Sequence, residues 1–162
     1  MNDSTNSPYQ PPSADLIDRN QNNQIFMFKR FTAWGVFGLG LITLGIYTIY
    51  WLCTRSNIVN TVSDNKIEPY WIAALAITTA LSFVSGLFGQ SETAVMIAAL
   101  ITIAYLVAYL AVAFKLRNRL RDMMSSDSNT SYELSSILTF LFSAIYLQYK
   151  INEYIDITGG QT

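Results

Sequence analysis

Two uncharged runs lie almost next to each other in the middle of the chain, residues 70–89 and 94–114, with only residues 90–93 between them. The runs contain 20 and 21 residues, mostly Ala, Leu, Ile, Val, Phe, Tyr and Trp. An α-helix needs about 20 apolar residues to cross a hydrocarbon layer of about 30 Å, because each residue advances it by about 1.5 Å. The pair therefore predicts a transmembrane helical hairpin in an all-α integral membrane protein.

Two further hydrophobic segments flank this hairpin, so the chain has four helical segments. The first, residues 31–54, has 24 uncharged residues, but four glycines interrupt it. Each glycine weakens a helix by about 1 kcal/mol relative to alanine. The last, residues 134–149, has 16 uncharged residues, which is short for a full crossing, and Thr130 with Glu133 forms a capping box before it. We expect both flanking segments to be either re-entrant or interfacial.

The positions of Lys and Arg predict the orientation, because these residues collect on the cytoplasmic side. The loop at residues 90–93 contains none of the ten cations, so we expect this loop outside and both termini in the cytoplasm. If all four segments crossed, four cations would lie on the outer face. Shallow flanking segments leave all ten on the cytoplasmic side, which favours a multi-pass protein of the plasma (inner) membrane with two true crossings.

The remaining parts of the chain are polar. Residues 1–28 form a Pro-, Ser- and Asn-rich leader, which we expect to be disordered, retained and either a solvated tail or a short docking peptide. Residues 29–156 form the membrane domain, and residues 157–162 form a flexible tail.

The composition argues against several kinds of chemistry. The net charge of −1 does not favour a nucleic-acid partner, and a single cysteine without any histidine leaves no Cys/His metal cluster. The four hydrophobic segments contain no Asp, Glu, Lys or Arg, so a proton relay or a catalytic base has no evident residue. We therefore expect no cofactor, no metal and no catalytic residue, and a protein that is not an enzyme.

A basic stretch follows the third segment and consists of Lys115, Arg117, Arg119 and Arg121. We expect it to continue the third helix. It is typical of a positive-inside anchor, and it is also suited to binding anionic lipid headgroups, since each such cation contributes about 1 kcal/mol near a negative leaflet. The two interpretations are compatible.

Neutral polar side chains in the hairpin form a second candidate site, a buried polar seam that comprises Thr78, Thr79, Ser82, Ser85, Tyr105 and Tyr109. Such groups hold helices together or line a narrow polar path. Alanines at four-residue spacing, among them Ala76 and Ala80, favour close packing of the hairpin or a homo-oligomer.

A motif near the end of the first segment resembles a known family. The run from Thr43 through Gly45, Tyr47 and Tyr50 to Trp51, with Asn57 downstream, resembles the TLGIYxxYW signature of a bacterial membrane-protein family, domain of unknown function 4234. Tyr146, Gln148 and Asn152 resemble its closing pattern, so the resemblance spans about residues 28–155. It implies an inner-membrane location and no established activity. The two motifs also resemble each other when Thr43 is aligned with Thr139.

Two functions remain open. The missing charges, the packing residues and the leader predict a small non-enzymatic inner-membrane protein that serves as a scaffold, accessory or regulatory subunit of a membrane complex. The alternative is an oligomeric pore or carrier for a small or neutral solute, along the polar seam. The expected partners are the lipid bilayer and either another protein or further copies of the chain.

Overall fold

The computed structural model describes residues 25, 27–87, 91–127 and 132–159. Within these residues the protein is all-α, as predicted, with five helices and no strand. The helices are α1 (Ala33–Ile42), α2 (Ile46–Val62), α3 (Pro69–Ser85), α4 (Glu92–Asp127) and α5 (Ser136–Gly159). Most of the leader and Thr130 of the capping box lie outside the described residues.

Helices α3 and α4 form the predicted hairpin and make the most extensive helix–helix contact of the fold. Helix α4 has 36 residues, because the basic stretch continues the apolar helix, as expected. Among the described residues, α4 alone is both long and apolar enough to cross a membrane, and α3 is a shorter apolar helix of 17 residues. Only 11% of the most apolar 18-residue stretch of α4 is buried. This stretch is therefore not the core helix of a globular domain.

The first hydrophobic segment is broken in two, at the last of its four glycines. Leu44 and Gly45 have φ angles of 51° and 90°. The Gly45 N–H donates to the Gly40 carbonyl at 2.7 Å, and the Leu44 N–H donates to the Leu41 carbonyl at 3.2 Å. This pair of bonds is the Schellman motif, which ends a helix and reverses the chain. Because α1 and α2 pack on each other, the segment is a helical hairpin.

The last hydrophobic segment also has an internal break. Helix α5 contains a non-helical residue, Ser143, with φ 39°. The Ser135 N–H, just before α5, donates to the Tyr146 hydroxyl at 2.8 Å, so the first part of α5 lies back against the second. No glycine or proline marks this break.

The two breaks favour a different register for the internal repeat. Leu44 and Ser143 both have positive φ, and the sequences Gly-Ile-Tyr and Ala-Ile-Tyr follow them directly. This register aligns Tyr47 with Tyr146, and it differs by three residues from the alignment of Thr43 with Thr139. The motif shared by the two segments is thus a turn followed by Ile-Tyr-x-x-Tyr.

The core occupies one end of the molecule, around the basic half of α4. Its fully buried side chains include Leu52, Val59, Ile67, Leu116, Leu120, Met124, Leu147 and Ile151. At the other end of the α3–α4 hairpin the large apolar side chains are exposed, among them Leu81, Phe83, Met96 and Leu100. The hairpin therefore extends beyond the helical bundle that carries the core.

The loop between α2 and α3 is held by one side chain. The Asn60 amide donates to the Ile67 carbonyl at 2.9 Å and accepts from the Ile67 N–H at 2.6 Å. Pro69 then occupies the first turn of α3, where its missing N–H costs no hydrogen bond. The clamp fixes where the hairpin starts relative to α2.

Candidate functional site

The first part of the signature builds the turn between α1 and α2. The Thr43 hydroxyl donates to the Leu39 carbonyl at 2.6 Å and accepts from the Tyr47 N–H at 2.9 Å. The Leu39 carbonyl also accepts from the Thr43 N–H at 3.0 Å, so the hydroxyl adds a second donor at the end of α1. At the start of α2 the same hydroxyl supplies an acceptor for the Tyr47 N–H, one of the first N–H groups that a helix leaves without a partner. The sequence Thr-Leu-Gly is explained by this turn.

The last residue of the signature binds the closing pattern. Trp51, which is buried on α2, donates from its indole Nε1 to the Oε1 atom of Gln148 on α5 at 2.9 Å. The Gln148 side chain is fully buried. These two residues are 97 positions apart, so the two motifs that the resemblance singled out are in direct contact.

Arg55, one turn after Trp51, reaches the same amide. Its Nη2 atom donates to Gln148 Oε1 at 3.2 Å and to the Lys29 carbonyl at 2.9 Å. Its guanidinium also lies 5.8 Å and 5.7 Å from the ring centroids of Phe28 and Trp51. The residue is only 7% exposed, and its described partners are oxygens of neutral groups and aromatic rings rather than a carboxylate.

Asn152 completes this cluster. Its Oδ1 atom accepts from Gln148 Nε2 at 2.9 Å, and its Nδ2 atom donates to the Phe31 carbonyl at 2.7 Å. We call Trp51, Arg55, Gln148 and Asn152, with the carbonyls of Lys29 and Phe31, the polar lock. It joins the segment before α1, helix α2 and helix α5. Its amides and guanidinium bind one another, so the arrangement is suited to holding elements together.

The sequence pattern predicted only part of this lock. Trp51 belongs to the signature and Gln148 and Asn152 belong to the closing pattern, whereas neither motif includes Arg55. The signal was present, because Trp51/Arg55 and Gln148/Asn152 are each four residues apart and so share a helix face. Asn57 of the signature is exposed on α2, away from the lock.

The basic stretch makes contacts within the protein. Lys115 Nζ lies 2.8 Å from Glu68 Oε2 and 5.9 Å from the Trp71 ring centroid. The hydrogen bond from Lys115 holds the pKa of the Glu68 carboxyl below its ordinary value. Arg117 donates to the Leu134 carbonyl from Nε at 2.8 Å and also from Nη2. These two cations join α4 to the starts of α3 and α5.

The other two cations of the stretch share one carboxylate. Arg119 and Arg121 lie 3.8 Å and 3.3 Å from the Asp122 oxygens. Arg121 is the more exposed of the two, and both belong to the end of α4 that carries the core. A headgroup role for the basic stretch stays a prediction, and its cations already contribute to the fold.

A second charged cluster lies on the second half of α5. The Tyr132 hydroxyl and Lys150 Nζ both donate to Glu153 Oε2, at 2.9 Å and 2.5 Å. The bond from Lys150 lowers the pKa of Glu153, and the same bond raises the pKa of Lys150. Burial, together with the bond to Glu153, raises the pKa of Tyr132. Among the described residues, no three His, Cys, Asp or Glu side chains lie together as a metal site requires.

The serine and threonine hydroxyls of the predicted polar seam donate within their own helix. Thr79 donates to the Leu75 carbonyl at 2.6 Å, and Ser82 donates to the Thr78 carbonyl at 2.8 Å. Thr78 and Ser85 donate to the α3 backbone in the same way. The donor hydrogens of these hydroxyls are therefore used within α3. Towards a neighbouring helix, the hydroxyl oxygens act only as hydrogen-bond acceptors.

The structure brings some of the seam residues together and separates others. A cavity of about 190 Å³ lies between the α1–α2 turn and the hairpin, and its lining includes Gly45, Thr79, Ser82 and Tyr105. Ser85 lies instead in a groove near the loop end of the hairpin. The ring centroids of Tyr105 and Tyr109 are 6.0 Å apart, and Tyr109 lies against Ser143 at the α5 break. The signature turn and half of the seam thus meet at one cavity.

Comparison with known proteins identifies the family. A family model described as a domain of unknown function, DUF4234, matches residues 31–122, which is more than half of the 162-residue chain. The match includes the signature, the hairpin and the basic stretch, and it ends before Gln148 and Asn152. No curated protein and no solved structure matches the chain. The chain belongs to the DUF4234 family, whose defining domain has no known function.

Proposed function

We propose that the protein is a small non-enzymatic subunit of the inner membrane, which acts as a scaffold, accessory or regulatory component of a membrane complex. Helices α3 and α4 cross the bilayer, the loop between them lies outside, and the two broken segments enter from the cytoplasm and return. The polar lock then lies at the cytoplasmic surface and holds the two broken segments together.

The two ends of α4 carry this proposal. Its basic half packs in the core, with Leu116 and Leu120 fully buried, whereas Met96 and Leu100 on its apolar half are exposed. A soluble protein rarely leaves a contiguous apolar surface of this length in water. Lipid covers such a surface without cost, and the cations at the buried end match the cytoplasmic side.

The depth of the α1–α2 turn supports a re-entrant first segment. The Glu68–Lys115 ion pair lies at the end of the uncharged part of the α3–α4 hairpin, and we take its level as the cytoplasmic boundary of the hydrocarbon layer. Thr79 is ten residues beyond Pro69 and Tyr105 is ten residues before Lys115, so both lie about 15 Å from that level. Gly45 lines the same cavity as these two residues. The turn therefore reaches about half of a 30 Å hydrocarbon layer.

Helix α3 offers a surface for a partner helix. Ala73, Ala76 and Ala80 lie exposed on its outer face, whereas Leu75 is buried on the side that faces the fold. Small residues let two helix backbones approach closely in lipid, where dispersion and hydrogen bonds drive association. This face supports assembly with another membrane protein or with a second copy of the chain.

A topology map tests the membrane arrangement. In a Cys53→Ser background, single cysteines are placed at Ser4, Ser91, Ser126 and Gly160 and exposed to an impermeant thiol reagent in intact cells. We expect labelling at Ser91 alone. Labelling at Ser4 and Gly160 as well would require four full crossings and would contradict the re-entrant segments.

A co-purification experiment tests the subunit role. The chain is extracted directly into native nanodiscs, with and without Ala80→Leu, and its partners are identified by mass spectrometry. We expect a reproducible partner that Ala80→Leu weakens, and Ala99→Leu on the exposed face of α4 is the matched control that leaves it bound. Deletion of residues 1–20 is expected to weaken the same partner if the leader docks onto it. Recovery of the chain alone would contradict a heteromeric role.

The cavity at the seam favours the second candidate, an oligomeric pore or carrier for a small neutral solute. Thr79, Ser82 and Tyr105 line this cavity of about 190 Å³ near the predicted membrane midplane. Solute flux into liposomes tests it, with Ser82→Leu filling the cavity and Ser85→Leu, outside the cavity, as the control. Flux that only Ser82→Leu abolishes would support a carrier, and no flux for a panel of neutral solutes would exclude it.

A further inference from the structure

We infer that the protein is a rigid wedge in the cytoplasmic leaflet and prefers membranes whose cytoplasmic leaflet is expanded and convex. This inference rests on the membrane placement proposed above and adds a lipid-directed activity to it. It follows from an unequal cross-section in the two halves of the bilayer.

Both broken segments enter the cytoplasmic half of the membrane and turn back. Gly45 lines a cavity with Thr79 and Tyr105, about 15 Å from the level of Lys115, and with Ser82, about 20 Å from the start of α3. The second turn, at Ser143, lies against Tyr109, which is six residues or about 9 Å from Lys115 along α4. The first turn therefore lies near the middle of a layer about 30 Å thick, and the second lies on the cytoplasmic side of the middle.

The two leaflets therefore hold different numbers of helical segments. The cytoplasmic half contains α1, α2, α3, α4 and both parts of α5, which is six segments, whereas the outer half contains only α3 and α4. A helix about 10 Å in diameter occupies about 80 Å² of a leaflet. The excess of four segments adds on the order of 300 Å² to the cytoplasmic leaflet.

Each turn packs against the α3–α4 hairpin on one side and carries exposed apolar side chains on the other. Leu44, at the tip of the first hairpin, is 86% exposed, and Phe140, Leu141 and Phe142 beside the second turn are also exposed. Apolar side chains at this depth displace acyl chains instead of retracting into water. The exposed apolar tips thus keep the four extra helical segments, and the cross-section that they add, inside the hydrocarbon layer.

The polar lock makes the wedge stiff. Trp51 and Arg55 on the first hairpin bind Gln148 on the second, and Asn152 binds the Phe31 carbonyl before α1. Separating the two hairpins, or withdrawing one of them, would leave these polar groups without their partners, which costs free energy. The lock therefore resists a change in the shape of the wedge.

Membrane tubes pulled from giant vesicles test this inference. The full chain, with Cys53→Ser and a dye on a cysteine at Ser4, is reconstituted into phosphatidylethanolamine/phosphatidylglycerol vesicles, and an impermeant quencher separates the two orientations. Copies whose cytoplasmic side faces outward should be enriched about twofold in the tube, which requires only ~0.4 kcal/mol because tenfold corresponds to 1.4 kcal/mol. Copies in the opposite orientation should be depleted by the same factor.

Two double variants assign the effect to the turns. Leu44→Asn with Leu141→Asn makes both tips polar, and asparagine tolerates the positive φ at position 44, so the turn is preserved. We expect this variant to sort by orientation less strongly than the unmodified chain, because its tips no longer carry the apolar side chains that displace acyl chains. Met96→Asn with Leu100→Asn removes a similar exposed apolar area from the outer half and should sort as the unmodified chain does.

The outcomes separate the wedge from the membrane placement. Sorting that is absent, or that has the same sign in both orientations, would overturn the wedge while leaving an integral membrane protein. Sorting of the Leu44→Asn, Leu141→Asn variant that is as strong as that of the unmodified chain would overturn it as well. Release of the chain from the vesicles by alkaline carbonate would instead refute the membrane placement, and the wedge with it.

Discussion

Replacing Gln148 tests the polar lock most directly. In Gln148→Met an unbranched side chain of similar length fills the same space but makes none of the three hydrogen bonds. The Trp51 indole N–H is then buried without an acceptor, at a cost of about 1–3 kcal/mol, and Arg55 loses one charge-assisted bond worth about 1.5–3 kcal/mol. Because Asn152 is only half-buried, water replaces its lost donor. We expect a loss of about 3–5 kcal/mol, which is a large part of the 5–15 kcal/mol of an ordinary domain.

A double-mutant cycle with Trp51→Phe separates the lock from general packing. Trp51→Phe alone leaves Gln148 with Arg55 as a donor, so it should cost less than Gln148→Met. In the Gln148→Met background the Trp51 indole N–H has already lost its acceptor. Trp51→Phe should therefore cost about 1–2 kcal/mol less there than it does in the unmodified chain. Far-UV circular dichroism during titration with SDS in mild detergent measures each free energy of unfolding.

The control for this cycle is Tyr149→Phe, next to Gln148 on the same helix. Tyr149 is 54% exposed, so loss of its hydroxyl should change stability by less than about 0.5 kcal/mol. Additive effects of Trp51→Phe and Gln148→Met would show that the indole and the amide are not coupled, and the assignment of the lock would then be wrong.

Three further outcomes follow from the fold and are measured by the same titration or by thermal unfolding. Gly45→Ala should destabilise the fold by about 1–2 kcal/mol because φ at this position is +90°. Gly38 lies inside α1, and a methyl group added there meets open space, so Gly38→Ala should stabilise the fold by up to ~1 kcal/mol. Equal effects of the two substitutions would contradict the turn at Gly45. Asn60→Ala should cost about 2 kcal/mol and accelerate hydrogen exchange of the loop amide that it binds; unchanged exchange would refute the clamp. The bond from Lys150 lowers the pKa of Glu153, so the stability that this carboxylate contributes is fully present above 4.5 and is lost as pH falls below 4.5 through the lowered pKa. The same bond raises the pKa of Lys150, so the stability that the ammonium contributes is fully present below 10.5 and is lost as pH rises through the raised pKa. Glu153→Gln should therefore flatten both flanks of the plot of Tm against pH.

The parts of the fold that were predictable depend on local sequence. Long uncharged runs marked the hairpin, and the basic stretch continued α4 as expected. The four glycines of the first segment predicted a weakened helix, and the break lies at one of them, Gly45, because a positive φ favours glycine. The break at Ser143 carries no such residue, so only the tertiary fold reveals it.

The lock was harder to predict because it depends on distant contacts. Arg55 follows an apolar run, which is the usual place for a membrane anchor, and only its contact with Gln148, 93 positions away, distinguishes a buried group from a solvated one. For the seam, the sequence placed Thr79 and Ser82 on α3 correctly but gave no means of knowing that their hydroxyls bond their own helix.

The separation of Trp51 and Gln148 along the chain has a consequence for biosynthesis. A ribosome that adds about 5–20 residues per second needs roughly 5–20 s to make the 97 residues between them. During that interval the Trp51 indole N–H lacks its acceptor, because Gln148 has not yet been made. Arg55 already has the Lys29 carbonyl and the Phe28 ring, which precede it in the chain. A chain interrupted before residue 148 would thus contain the first hairpin but not the acceptor that fixes it to the last helix.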